Sequence, residues 1–222
     1  HTPDTKTLLE VLGTFKPTYI LSVPRVFEKV YNSSEQKAAA GGKLKIFHWA
    51  AATAIAYSRA LDEPSGPGIG LRLQHKVADA LVFKKLRHAL GGRAKYAVSG
   101  GAPLGERLGH FYRGIGVRIL EGYGLTESTA PTSVNRPGNT KIGTVGEQLP
   151  GCGARIAEDG EILLRGDHIF RGYHNNEQAT ADAFVDGWFR TGDLGSLDEG
   201  GFLRSTGGSM ELRVAAGGAT VA

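Results

Sequence analysis

The first half of this sequence alternates short apolar segments with longer segments of helical periodicity. Residues 18–23, 94–99 and 117–121 have the length and apolar content of buried strands. Residues 44–61 and 71–90 carry apolar side chains at helical spacing. Because helices that alternate with strands are typical of parallel sheets, the sequence predicts an α/β fold.

Two further signals refine this prediction. Pro24 directly follows the first predicted strand, and proline suits the first position of a helix because the N–H there has no helical partner. Residues 104–113 have the pattern of another helix, placed between the second and third predicted strands. We therefore expect a strand-to-helix turn at Pro24 and continued α/β layering up to the third strand.

From about Lys141 the sequence changes to short segments joined by turn residues. Asp159-Gly160 separates two of these segments and is a hairpin signal. The predicted strands of this half are residues 153–157, 161–165, 194–197 and 202–204, and a short helix is predicted near residues 176–184.

This change in sequence pattern predicts a subdomain boundary near residues 137–140. We expect an α/β subdomain with a helical insert over residues 1–138, a β-rich, barrel-like subdomain over 139–206, and a hinge with an atypical tail over 207–222.

Composition excludes several classes of protein. The chain has 26 Lys+Arg against 22 Asp+Glu, without the clustering of a nucleic-acid-binding protein, so we expect no nucleic-acid partner. Cys152 is the only cysteine, which excludes an intrachain disulfide and favours a cytoplasmic location. No apolar stretch approaches the roughly 18 residues that span a bilayer. The oligomeric state is not predicted.

A basic segment lies in the helical insert. Its cations could meet anionic lipid head groups while apolar faces lie at the membrane surface, and a solvated basic face is the alternative. The residues concerned are Lys43, Lys45, Lys84, Lys85 and Arg87. We expect weak peripheral membrane contact at most.

The first candidate site follows the second predicted strand, where residues 99–104 read Ser-Gly-Gly-Ala-Pro-Leu. Small residues at Gly101, Ala102 and Pro103 allow a ligand to approach the backbone where a helix begins. The alternative is a tight turn without a ligand.

The second candidate site is Glu-Gly-Tyr-Gly-Leu-Thr-Glu at residues 121–127, at the carboxyl end of the third predicted strand. Open α/β sheets bind their ligands at such ends. Tyr123 offers a stacking surface, Thr126 a hydroxyl for a phosphate oxygen, and Glu127 a carboxylate suited to Mg²⁺. The alternative is a Gly-rich loop with Tyr123 packed inward and Glu127 solvated.

The third candidate site is residues 187–195, Gly-Trp-Phe-Arg-Thr-Gly-Asp-Leu-Gly, in the β-rich half. Asp193 could accept hydrogen bonds from the two vicinal hydroxyls of a ribose. An ordinary turn residue is the alternative, because Gly-Asp dipeptides are common in turns.

Taken together, these segments resemble the adenylate-forming, AMP-binding superfamily, and within it the long-chain fatty-acid CoA ligases. The resemblance rests on residues 99–104, 121–127, 160–166 and 187–195 in this order. Residues 23–32, Val-Pro-Arg-Val-Phe-Glu-Lys-Val-Tyr-Asn, followed by a long helical insert, are similar to the long-chain enzymes.

The resemblance implies a role for each site residue. The backbone around Gly101, Ala102 and Pro103 and the ring of Tyr123 would hold adenine. Thr126 would contact the α-phosphate, Glu127 would bind Mg²⁺, and Asp193 would bind the ribose. The nucleotide-binding set that it implies is Gly101, Ala102, Pro103, Glu121, Gly122, Tyr123, Gly124, Thr126 and Asp193, with Thr126 and Glu127 as the catalytic pair.

The resemblance also implies substrates, cofactors and placement. ATP, Mg²⁺ and coenzyme A would convert a fatty acid into acyl-AMP and then acyl-CoA. The chain would form part of the large N-terminal domain of such an enzyme. A phosphate-binding loop with its lysine is expected upstream of His1, and a mobile C-terminal domain with a catalytic lysine downstream, so we expect no turnover from this piece alone.

The tail departs from the family pattern. Gly208 stands where a ribose-contacting arginine is expected, and Ala219 where a lysine is expected. Two alternatives to a fatty-acid ligase therefore stay open. One is an aromatic-acid ligase or a carrier-protein-loading adenylation enzyme, and the other is a non-catalytic structural module.

Overall fold

The computed structural model describes residues 7–208, which form two compact units. The first unit comprises residues 7–99 and Leu104–Ile119, and the second comprises Gly100–Pro103 and the chain from Leu120 onward. The division between units comes before the boundary expected after residue 138. It comes early because one strand that the sequence did not predict, Ala130–Val134, pairs with residues 122–125, and a second, Glu147–Gln148, pairs with the first.

The first unit combines helices with one pair of parallel strands. Its elements are α1 (Leu8–Phe15), β1 (Tyr19–Ser22), α2 (Pro24–Ala40), α3 (Leu44–Ala60), α4 (Ile69–Ala78), a π-helical turn (Asp79–Phe83), α5 (Lys84–Ala89), β2 (Tyr96–Ser99) and α6 (Glu106–Gly114). β1 pairs with β2 in parallel. Parallel neighbours need a crossover connection, which α2 to α5 supply. The predicted α/β class is confirmed.

The predicted helix over residues 71–90 is interrupted by the π-helical turn. Ala78 and Phe83 are both fully buried although they are five residues apart. An α-helix has 3.6 residues per turn, so it would point these two side chains in different directions. The extra residue of the π turn lets both face the core. At α2, the helix starts at Pro24 as predicted, with Val23 in an extended conformation.

Aromatic side chains form the centre of the first unit. Phe27, Phe83, Phe111 and Tyr112 are almost completely buried. The Tyr112 hydroxyl donates a hydrogen bond of 2.7 Å to the Phe27 carbonyl oxygen. This bond satisfies the one polar atom that the Tyr112 side chain carries into the apolar core.

The second unit is antiparallel β structure with one short helix. β3 (Arg118–Leu125) begins in the first unit and continues into the second. The further elements are a 3₁₀ turn (Thr126–Ser128), β4 (Ala130–Val134), β5 (Glu147–Gln148), β6 (Gly153–Ile156), β7 (Glu161–Arg165), α7 (Glu177–Asp182), β8 (Phe184–Val185), β9 (Trp188–Leu197) and β10 (Leu203–Gly208).

These strands form two antiparallel groups. β4 lies between β3 and β5, and the second group has the order β10-β9-β7-β6, with β8 also paired to β9. A bridge between Glu147 and Phe202 joins the two groups. The predicted hairpin at Asp159-Gly160 is confirmed, with Ile156 opposite Ile162.

Other predictions in this half differ in length. β9 is longer than predicted because it begins at Trp188, and α7 begins after Asn176, whose side chain accepts a hydrogen bond of 3.0 Å from the Ala179 N–H. Of the predicted tail over residues 207–222, only Gly207 and Gly208 are described, at the end of β10; Ala219 lies outside the described residues.

Among residues 7–208, the helices are too short or too polar for any of them to cross a bilayer.

Candidate nucleotide site

The second candidate segment is the end of strand β3 rather than a loop. The sequence predicted that this strand stops at Glu121, but pairing with β4 continues to Leu125 opposite Ala130. The 3₁₀ turn follows at once, so Thr126 and Glu127 lie directly at the carboxyl end of the strand. The predicted end of the strand at Glu121 was therefore wrong, because the strand continues to Leu125. Thr126 and Glu127 lie at a strand end, as expected.

The two glycines of this segment allow close packing of strands. A Cβ atom on Gly124 would lie 2.0 Å from the Ala130 carbonyl oxygen, and one on Gly122 would lie 3.1 Å from the Ser133 carbonyl oxygen. Both contacts are with the backbone of β4. The β3–β4 approach thus requires glycine at position 124 and leaves only tight room for a Cβ atom at position 122.

Tyr123 lies in the core of the second unit. Its side chain is 9% exposed and packs in a cluster with Ile162, Leu164 and Phe189. Its hydroxyl donates a hydrogen bond of 2.7 Å to the Asp193 carboxylate. Burial raises the pKa of the Tyr123 phenol, and the bond to Asp193 acts in the same direction, so the hydroxyl remains a donor at neutral pH.

The ring of Tyr123 is therefore oriented inward, and its stacking on adenine stays a prediction. The polar edge of the ring reaches the very residue that was predicted to hold the ribose. Two candidate segments 70 residues apart in sequence are joined by this one hydrogen bond.

Asp193 is held at the middle of β9. Its N–H donates to the Thr191 hydroxyl at 3.0 Å, and that hydroxyl in turn donates to the Ile162 carbonyl oxygen at 2.7 Å. On the other side of the strand, Asp193 pairs with Gly208 of β10. Position 208, where the resemblance led us to expect an arginine, is thus directly across from Asp193.

One segment, which contains Phe170 and Tyr173, holds both the backbone and the side chain of Glu127. The Phe170 N–H donates to the Glu127 carbonyl oxygen at 2.7 Å, and the Tyr173 hydroxyl donates to the Glu127 carboxylate at 3.1 Å. The Tyr173 ring packs edge-on against Phe170, with centroids 4.8 Å apart. The sequence analysis did not identify Tyr173, because no local pattern links it to a glutamate 46 positions away.

Ser128 is another residue that sequence reasoning missed. It is fully buried, and its hydroxyl accepts from the Leu125 N–H at 2.9 Å and donates to the Ala130 carbonyl oxygen at 2.9 Å. These bonds fix the 3₁₀ turn. Thr126 is exposed at its start, and within residues 7–208 its hydroxyl has no hydrogen-bond partner.

The first candidate segment lies beside β3. A Cβ atom on Gly100 would be 3.7 Å from the Gly122 carbonyl oxygen, which is ordinary contact distance. Gly101, Ala102 and Pro103 are exposed, and nothing would lie within 4 Å of a Cβ atom on Gly101. The structure therefore brings these two segments together and leaves the first accessible to a ligand. Glu121, by contrast, is buried.

An open cavity of about 490 Å³ lies next to Glu127. Its walls include Tyr173, Gly192 and Arg190, and also Glu161, whose carboxylate accepts from the Arg190 guanidinium at 2.9 and 3.0 Å. The walls of this cavity do not include Tyr123 or Asp193.

The residues present suit Mg²⁺ carried by a nucleotide. Among residues 7–208, no group of three His, Cys, Asp or Glu side chains could hold a metal ion alone. Mg²⁺ in nucleotide sites is commonly bound by one or two carboxylates together with substrate phosphates. The partly exposed Glu127 carboxylate fits that arrangement.

Comparison with known proteins identifies the family. A family profile described as AMP-binding enzyme matches residues 1–174. The long-chain-fatty-acid–CoA ligase FadD15 of Mycobacterium bovis is 58% identical over 221 residues, which are 100% of this chain and 37% of that protein. Long chain acyl-CoA synthetase 3 of Arabidopsis thaliana is 35% identical over 90% of this chain and 32% of its own length.

A solved structure has the same fold. The N-terminal domain of FACL13 from Mycobacterium tuberculosis superposes with a TM-score of 0.58 at 21% identity, over 91% of this chain and 42% of that one. The chain spans about a third of the length of the curated relatives it matches. With a family profile that covers most of its residues, this chain belongs to the AMP-binding enzyme family.

Proposed function

We propose that the protein containing this chain activates a long-chain fatty acid with ATP and transfers the acyl group to coenzyme A. The single observation that carries the proposal is the 2.7 Å hydrogen bond between Tyr123 and Asp193. It joins the predicted adenine and ribose residues on the unit that also carries Thr126 and Glu127. The 58% identity to FadD15 supports a long-chain acid as the substrate.

Each side chain has a defined part in the proposed first step. A carboxylate oxygen of the acid attacks the α-phosphorus of ATP, a new P–O bond forms, and pyrophosphate leaves. Thr126 donates a hydrogen bond from its hydroxyl to an α-phosphate oxygen, and Glu127 would hold the Mg²⁺, which would offset phosphate charge. The Asp193 carboxylate, which the Tyr123 hydroxyl orients, accepts hydrogen bonds from the ribose hydroxyls.

The proposed second step transfers the acyl group. The coenzyme A thiol loses its proton to solvent, its sulfur attacks the acyl carbon to form the C–S bond, and AMP leaves with the electrons of the C–O bond. Cys152 has no part in this step, because the attacking sulfur belongs to the substrate. Burial raises the pKa of the Cys152 thiol, which keeps it in its unreactive protonated form.

The proposal is tested by pyrophosphate exchange. The full-length protein, given ATP, Mg²⁺ and a long-chain fatty acid, should exchange labelled pyrophosphate into ATP, and coenzyme A should then yield acyl-CoA. A panel of fatty and aromatic acids, together with a pantetheinylated carrier protein as acceptor, separates the alternatives. Higher exchange with aromatic acids would contradict the fatty-acid assignment, and absence of exchange with every acid would contradict the ligase assignment.

Replacing Asp193 with alanine should raise the ATP concentration needed for half-maximal exchange by about 10- to 100-fold. Hydrogen bonds to a charged group contribute about 1.5–3 kcal/mol each, and the variant loses those to the ribose. Tyr123→Phe keeps Asp193 but removes the donor that orients it, so a rise of several-fold is expected.

Asp198→Ala is the matched control for Asp193→Ala. Asp198 is another carboxylate of the second unit, paired with Lys141 at 2.5 Å in a turn. Its loss should leave the ATP requirement unchanged. Equal ATP requirements in the Asp193→Ala and wild-type proteins would remove Asp193 from the nucleotide site.

A further inference from the structure

The turn that leads from Glu127 into β4 has a backbone conformation that non-glycine residues rarely adopt. Thr129 and Ala130 both have a positive φ, of 53° and 80°. A Cβ atom makes this region unfavourable, so such residues persist only where surrounding contacts fix them. The buried Ser128 hydroxyl fixes the start of the turn. The contacts that fix its far end come from another part of the second unit.

His168 holds the far end of this turn through its backbone and its ring. The Thr129 hydroxyl donates a hydrogen bond of 3.0 Å to the His168 carbonyl oxygen. A second hydrogen bond, also of 3.0 Å, joins His168 Nε2 to the hydroxyl of Thr132, a residue that is fully buried. The strained turn is therefore tied to His168 on both sides of Ala130.

The His168 ring is itself fixed in one orientation. Its other nitrogen, Nδ1, lies 3.4 Å from the Cys152 sulfur. Gly166 leaves the space that the ring fills, because a Cβ atom there would lie 2.7 Å from His168 Nδ1 and 2.9 Å from its Cε1. With a partner at each nitrogen and no Cβ atom in its way, the ring is set to bond Thr132.

The segment that begins at His168 continues to the carboxylate of the proposed metal site. Two residues after His168, the Phe170 N–H donates to the Glu127 carbonyl oxygen at 2.7 Å. The Tyr173 hydroxyl then donates to the Glu127 carboxylate at 3.1 Å. One segment therefore holds Glu127 and the strained turn that follows it.

We propose that His168 is a positioning residue for Mg²⁺ binding, because it keeps the strained turn in place and thereby orients the Glu127 carboxylate. Groups that orient a metal ligand commonly set how tightly the metal binds. His168 acts through Glu127 and is not itself a metal ligand. This inference rests on the proposed function, in which Glu127 binds the Mg²⁺ that ATP carries.

Pyrophosphate exchange by the full-length protein over a range of Mg²⁺ concentrations tests the proposal. His168→Ala should raise the Mg²⁺ concentration for half-maximal exchange by about tenfold, the lower end of the range seen when a group that orients a metal ligand is lost. Saturating Mg²⁺ should restore most of the exchange, because the Glu127 carboxylate is still present. A general loss of folding would instead lower exchange at every Mg²⁺ concentration.

Two amide variants distinguish the two nitrogens of the ring. In His168→Gln, the side-chain amide can reach the position of Nε2 and bond the Thr132 hydroxyl, so its Mg²⁺ requirement should be close to that of the wild type. The shorter side chain of His168→Asn reaches only the position of Nδ1. This variant should therefore resemble His168→Ala.

Hydrogen exchange gives a second measurement that needs neither Mg²⁺ nor activity. In the full-length protein without ligands, peptides that contain residues 125–134 should exchange their amide hydrogens faster in His168→Ala than in the wild type. In His168→Gln these peptides should exchange at the wild-type rate. Peptides from the first unit should be unchanged in both variants.

His174→Ala is the matched control, because His174 is an exposed histidine six positions further along the same segment. Within residues 7–208 its side chain has no hydrogen-bond partner. It should match the wild type in both measurements. Normal wild-type exchange with an unchanged Mg²⁺ requirement in His168→Ala, or an equal rise in His174→Ala, would overturn the role of His168 alone. Absence of pyrophosphate exchange in the wild type would instead contradict the proposed function, and this inference with it.

Discussion

Replacing Glu127 with glutamine should reduce Mg²⁺-dependent pyrophosphate exchange on the order of 100-fold, the scale found when one electrostatic contact to a transition state is removed. Glutamine has the same shape and can still accept the hydrogen bond from the Tyr173 hydroxyl, which is 3.1 Å from the Glu127 carboxylate. The backbone bond from Phe170 to residue 127 is also kept. Loss of negative charge is therefore the main change at this position, and exchange measured across a range of Mg²⁺ concentrations isolates its effect.

Tyr173→Phe is the matched control for Glu127→Gln. This variant keeps the carboxylate charge and the contact with the Phe170 ring, and removes only the phenol that positions Glu127. We expect a loss of only several-fold, recovered at high Mg²⁺. If Glu127→Gln exchanged pyrophosphate like the wild type at low Mg²⁺, Glu127 would have no role in metal binding.

Replacing Gly114 with alanine should destabilise the protein by about 3 kcal/mol, the upper end of the usual cost of overpacking. Gly114 ends α6, which packs against α3, and a Cβ atom there would lie 2.1 Å from the Ala54 carbonyl oxygen and 2.8 Å from the Ala54 Cα. Both are backbone atoms, so no side-chain rotation relieves the clash. The helices would have to separate, which would also disturb the 2.6 Å bond between His75 and the Gly114 carbonyl oxygen.

Gly70→Ala provides the contrasting variant. Gly70 also lies in a helix, α4, but a Cβ atom there would meet nothing within 4 Å. Alanine at this position should stabilise the protein by about 0.5–1 kcal/mol, because it lowers the conformational entropy lost on folding. Urea unfolding of the full-length protein compares the two. Equal stability of the Gly114→Ala and wild-type proteins would show that α3 and α6 do not approach this closely.

Local patterns in the sequence predicted most of the regular structure. The periodicity of α3, the proline at the start of α2 and the Asp159-Gly160 turn each depend on residues within a few positions of one another, and each is confirmed. Short strands were harder to predict. β4 and β5 were missed because they contain few apolar residues and are stabilised by pairing with a strand that is distant in sequence.

For the candidate site too, local sequence patterns predicted one part and not the other. Its residue types and order were readable from the chain, because glycines, a tyrosine, a hydroxyl and acids at short spacing have recognisable chemistry. Their arrangement was not. The inward orientation of Tyr123 and the bond from Tyr173 to Glu127 depend on how strands and loops far apart in sequence pack. Tyr123 and Ile162 are 39 positions apart, and Tyr173 and Glu127 are 46 positions apart, beyond the reach of any local pattern.

The sequence alone determined the α/β class of this protein, most of its helices, its β-rich second half and the three segments that carry the candidate chemistry. These depend on the local preferences of the backbone and on the alternation of apolar and polar side chains. Tertiary structure alone decided the hydrogen bond from Tyr123 to Asp193 and the contact that requires glycine at position 124. These features arise from the packing of elements that only folding brings together. The contacts that stabilise them join residues far apart in the chain, so no local sequence pattern can reveal them.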